Sequence, residues 1–152
     1  MEIAETVQNI QYVLAPAVMV SSSSLLTMGL QTKFSNLANR LRALNSERRI
    51  LTLKSPRETG EAIRLESVKG QLDHLMKRAR YVKNAIIGLF ASILCFAGTS
   101  ILIFIDVYSY YPVGGITVIA FVAGLALVVL SILFLIQEAA ISFRVIELER
   151  NS

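Results

Sequence analysis

At 152 residues the chain has the length of one domain, and its 54% apolar side chains and mean hydropathy of +0.58 exclude an ordinary soluble domain. Its net charge of +4 is positional: 13 of the 15 Lys and Arg fall between Lys33 and Lys83, which excludes a general reading as a nucleic-acid binder. One cysteine, Cys95, and one histidine, His74, exclude an intramolecular disulfide and a Cys/His metal cluster.

Residues 1–9 place Ile3, Val7 and Ile10 four and three apart, which predicts a short amphipathic lead-in at the outer membrane surface. Glu2 and Glu5 stand where a cleavable signal peptide would need basic residues. Residues 10–30 then run uncharged for 21 positions, long enough at ~1.5 Å per residue to span a bilayer. Pro16 removes one helix hydrogen bond within this span, and Ser21, Ser22, Ser23, Ser24 and Thr27 make it more polar than a simple anchor. At ~100° per residue, Ala17, Ser21, Ser24, Met28, Gln31 and Ser35 share one small or polar stripe. Met19, Leu26, Leu30, Phe34, Leu37, Leu41 and Leu44 lie opposite, and this apolar stripe passes the membrane boundary unbroken. The spacing therefore predicts one helix from Ile10 to Leu44, partly in the membrane and partly in the cytosol.

Residues 31–83 form the charged segment. A turn is expected near Thr52 to Ser55, and Ser55-Pro56-Arg57-Glu58 has the N-cap serine, first-turn proline and third-position glutamate of a capping box. Leu65, Val68, Leu72, Leu75, Ala79 and Val82 repeat at three and four, matching the first rod, so the two rods should pair as an antiparallel hairpin. Gly60 and Gly70 each weaken the second rod by about 1 kcal/mol relative to Ala, which leaves packing to stabilise it.

The second span covers 84–105, an outer loop 106–112, the third span 113–136 and a tail helix 137–152. Ala85, Gly88, Ser92, Cys95 and Thr99 in one span, and Thr117, Ala120, Gly124 and Ser131 in the other, are small-residue stripes of the kind that lets helices approach closely in lipid. Asp106 lies one heptad past Thr99 and Glu138 one heptad past Ser131. Both are expected to be solvated at the membrane ends, and both are candidates for ion contact or gating. Tyr108, Tyr110 and Tyr111 suit an outer aromatic belt, and Ile141, Val145 and Leu148 give the tail one apolar face. The absence of Lys and Arg from the N-terminus and the Asp106 loop puts the N-terminus outside, with the charged segment and C-terminus cytosolic. The fold class is all-α: an integral membrane protein with three transmembrane helices, the first two extended into a cytosolic antiparallel hairpin.

The Pro16 span, the extension Asn39-Arg40-Leu41-Arg42-Ala43-Leu44-Asn45, the basic end Lys77-Arg78-Ala79-Arg80, two close spans and an amphipathic tail resemble the bacterial membrane family catalogued as domain of unknown function 2721. The likeness covers about Ile10 to Leu148. It implies a bacterial inner-membrane protein with three helical spans and carries no catalytic residues.

No segment pairs a nucleophile with a base, converges metal ligands or forms a phosphate-cradling loop, so neither an enzyme nor a cofactor is expected. His74 belongs to the outward side of the second rod. The stripe of Ser21, Ser24, Thr27 and Gln31 serves either a packing contact or a pore, with serines bonded to their own helix carbonyls as the simpler arrangement; four consecutive serines cover ~300° and cannot all face one path. Gly88, Ser92, Thr99, Ala120, Gly124 and Ser131 are the candidate helix contacts. Two functions follow: a non-enzymatic scaffold or accessory subunit that self-associates or joins a membrane complex, and a homo-oligomeric channel lined by the first span. The partners expected are the lipid bilayer, further copies or a membrane complex, and anionic lipid headgroups beside the cations, with no nucleic acid.

Overall fold

The structure, a computed structural model, describes residues 2–53, 59–108 and 114–150, with side chains placed over 11–12, 14–53, 60–107 and 114–142. The capping box at 55–58 and Tyr110 and Tyr111 lie outside these residues, as do the side chains of Tyr108, Val145 and Leu148.

Within them the chain is three helices: α1 (Glu2–Leu53), α2 (Thr59–Tyr108) and α3 (Gly114–Arg150). The 52 residues of α1 make a rod roughly 80 Å long. From Glu2 on, the lead-in is continuous with this helix, since Pro16 costs it one hydrogen bond without ending it, and the side chains of Ile3, Val7 and Ile10 lie outside the described ones. The third span and the tail are likewise continuous in α3. No proline or glycine falls between Gly124 and Arg150 to separate them.

The inward face of α1 follows a seven-residue recurrence. Pro16, Ser23, Thr27 and Leu37 are buried, and Leu30, Phe34, Leu41 and Leu44 are half-buried, each three, four or seven residues from the last. The expected stripe thus holds from Leu30 to Leu44 and breaks at Leu26, which is exposed, while Met19 beyond it is half-buried. The reason is geometric. A 100° count drifts ~20° per heptad from a 3.5-residue seam, and over this length the seam passes through Thr27 and Ser23.

Across from that face, Leu65, Val68, Leu75, Ala79, Val82 and Leu89 of α2 are buried. Leu37, Leu75 and Val82 form a core, flanked by Phe34, Leu41, Leu44 and Ile86. Removing such a side chain from water is worth roughly 1.5–3 kcal/mol. The charged contacts run the same way, since Glu47 of α1 meets Arg64 of α2 while Lys33, further back on α1, shares a partner with Arg78, further forward on α2. The order of these contacts makes the two helices antiparallel.

On its other side α2 packs along α3, whereas α1 and α3 approach each other much less. Here close approach replaces apolar burial. A Cβ at Gly124 would lie 2.7–3.1 Å from the Phe96 ring, and one at Gly88 would strike the Ser131 hydroxyl, so glycine is what allows both contacts. Phe96 is completely buried and meets Phe121 at 5.6 Å between ring centroids, tilted by 57°. All three helices are long and apolar enough to cross a membrane, with mean hydropathies of 1.2, 2.4 and 3.0 over their most apolar windows. Only 17%, 22% and 11% of those windows is buried. Apolar surface faces outward on every helix, as in a membrane protein.

Candidate functional site

All three helices converge on one carboxylate. Glu138 of α3 has no exposed surface, contrary to the solvated position expected for it. Arg78 of α2 donates from Nε to Glu138 Oε1 at 3.0 Å, Lys33 of α1 donates from Nζ to Oε2, and the Ser142 hydroxyl lies 3.0 Å from Oε1. Ser142 is one turn further along α3 and sits equally close to the Glu138 backbone carbonyl, so a single hydroxyl braces the carboxylate from its own helix.

Each part is positioned by the helix register. Gly124, Ser131 and Glu138 recur at seven residues on the buried face of α3, so the seam that brings Gly124 against Phe96 and Ser131 against Gly88 delivers Glu138 to Arg78. Lys33 is the first cation after the apolar part of α1 and precedes the half-buried Phe34. Its side chain keeps 43% of its surface exposed and that of Arg78 keeps 23%, so the cations reach inward from the rim to a fully desolvated anion. A buried carboxylate without partners would be strongly unfavourable. Two cations and a hydroxyl remove that penalty, and among the described residues no buried side-chain polar atom lacks a partner. The arrangement can fix the mutual position of three helices, with one net positive charge at its rim.

The serine stripe behaves differently. Ser21, Ser24 and Gln31 are exposed, whereas Thr27 is buried and donates to the Ser23 carbonyl at 2.8 Å. The four do not share one face. Ser21, Ser22 and Ser24 donate to the carbonyls of Ala17, Val18 and Val20 at 3.2, 3.0 and 2.8 Å. Their hydroxyls are satisfied by their own helix, the simpler of the two arrangements.

One family model, described as a protein of unknown function (DUF2721), matches residues 13–148. The chain belongs to the DUF2721 family. The match spans all three helices and both sides of the Glu138 cluster. No curated protein and no solved structure matches the chain.

The remaining candidate residues of this DUF2721 protein divide by use. Ser92, Thr99, Gly124 and Ser131 are buried, and Gly88 and Ala120 are half-buried. Ser92, Thr99 and Ser131 each donate to a carbonyl of their own helix at 2.8 Å, so their small size serves the packing and their hydroxyls add no bond between helices. Asp106 is exposed near Gly114, at the opposite end of the bundle from Glu138, and His74 is exposed on α2. Sequence reasoning missed the pairing of Glu138 with Lys33 and Arg78. Its heptad spacing from Ser131 was the available signal, since a residue on a buried seam stays buried until the seam ends.

Proposed function

We propose that the chain is a non-enzymatic scaffold or accessory subunit of the bacterial inner membrane that self-associates or joins a membrane complex. In this reading the N-terminus is outside, and the α1–α2 hairpin beyond Lys33 and Lys83 is cytosolic together with the C-terminal end of α3, as the distribution of cations favours. The observation that carries the proposal is the unequal use of the small-residue faces. Gly88, Gly124 and Ser131 are occupied within the chain, while the apolar part of α1 keeps Ser21, Ser24, Met28, Gly29 and Gln31 on its exposed side. Small and polar residues on a membrane helix suit close contact with another helix better than contact with lipid tails. The Glu138 cluster supports the same reading, since it holds the three helices as one body at the base of the hairpin.

Particle mass in mild detergent or nanodiscs tests the proposal. Assembly into oligomers, or co-purification with a membrane complex, is the expected result, and a lone monomer without a partner overturns it. The channel reading draws on the exposure of Ser21, Ser24 and Gln31. Liposome flux abolished by Ser21→Leu and Ser24→Leu in an assembled protein would favour that reading over a scaffold.

A further inference from the structure

The two helices of the hairpin leave a groove on each side, and the two grooves differ. Lys33 and Arg78 mark the side on which α3 lies. Two heptads along each helix, on the same face, Glu47 and Arg64 close that side with an ion pair at 2.7 Å. The other groove shares no lining residue with it and runs from Leu41 to Leu53 along α1 and from Met76 to Leu65 along α2. Its floor is aliphatic, with Leu41 and Leu72 half-buried and Met76 and Leu53 left 51% and 76% exposed. Its rim carries Arg42, Arg48, Arg49 and Lys69 against a single acid, Asp73. None of these four cations takes part in an ion pair among the described residues.

We infer that this groove docks an acidic amphipathic helix of a partner protein, laid along the hairpin with its apolar face on Leu41, Leu72 and Met76 and its carboxylates on the arginine and lysine rim. The inference rests on the scaffold reading and gives its cytosolic partner a chemistry. Three observations select this occupant. The groove spans 12 residue steps of α1, ~18 Å, which matches about three turns of a docked helix. Arg48 and Arg49 stand 15 and 16 residues beyond Lys33, more than ~20 Å from the membrane boundary, whereas electrostatic attraction to lipid phosphates fades within ~8 Å at physiological salt. Among the described residues no aromatic side chain lines the groove to stack a nucleic-acid base, while an aliphatic floor fits leucines spaced at three and four.

The test uses the full chain in nanodiscs and a fluorescent synthetic peptide of leucine and glutamate, with the leucines at helical spacing on one face. Saturable binding that weakens as salt rises is expected. Arg48→Glu combined with Lys69→Glu should weaken it at least about tenfold, and Arg64→Gln on the other side should leave it unchanged. Lys69→Gln alone gives the same direction with less perturbation, and helicity and particle mass check that the variants are folded. Equal binding of a peptide of the same composition with scattered leucines overturns the inference, as does indifference to the charge reversals or competition by phosphatidylglycerol vesicles or RNA. An assembly of the expected mass that ignores the peptide overturns the groove and leaves the scaffold standing. A partnerless monomer that binds the peptide does the reverse.

Discussion

Arg78 of α2 and Glu138 of α3 meet at 3.0 Å inside the helix bundle, with the glutamate side chain wholly buried and the arginine side chain 23% exposed. This contact and the one from Lys33 put a charge where the surrounding seam is made of small and apolar residues. Removing the anion therefore does more than delete two contacts, because it leaves two cations aimed at a site without one.

Glu138→Leu is expected to destabilise the chain by about 2–3 kcal/mol, less than the loss of a fully buried pair because Lys33 keeps 43% of its side chain exposed. Adding Arg78→Leu should restore part of that loss, since the double variant replaces a charged pair by apolar volume. Thermal unfolding in detergent, followed by circular dichroism, reads both. A double variant whose loss equals the sum of the losses of Glu138→Leu and Arg78→Leu measured singly would mean that the two residues are uncoupled.

The contact between Gly124 and Phe96 has no room for a methyl group. Gly124→Ala should cost about 1–3 kcal/mol because a completely buried ring must shift. Phe96→Leu in the same chain should relieve part of it. The matched control is Gly98→Ala, where nothing lies within 4 Å, and an equal loss there would refute the packing explanation.

Gly70 lies in the charged part of α2, with open space where its Cβ would be. Gly70→Ala should raise stability by about 0.5–1 kcal/mol through helix propensity and a less flexible unfolded chain. A lower melting temperature would show that α2 needs local flexibility at this point.

Neighbouring serines of α1 should respond in opposite ways. Ser23 is 3% exposed, so Ser23→Leu overpacks the seam and lowers the stability of the single chain. Ser24 is exposed, so Ser24→Leu should leave stability unchanged and reduce the particle mass instead. Melting and mass measured on both variants separate contacts within the chain from contacts between copies, and a Ser24→Leu protein of unaltered mass removes this face from the proposed interface.

Much of the fold is legible in the sequence because lipid imposes few solutions. Uncharged stretches of 21 residues and more must form helices, and the three-and-four spacing of Leu30 to Leu44 and of Leu65 to Val82 selects the faces that pair. Small residues at Gly88, Gly124 and Ser131 mark close approach, since packing is what holds helices together where no hydrophobic gain is available. Tertiary structure decided the rest. It turned the α1 seam through Ser23 and Thr27 in place of Leu26, because a small angular drift per heptad accumulates over a long rod. It also decided that Glu138 is buried, because a carboxylate two residues past an apolar span reads as solvated until the positions of Lys33 and Arg78 are known, and these come from helices 105 and 60 residues away in the chain.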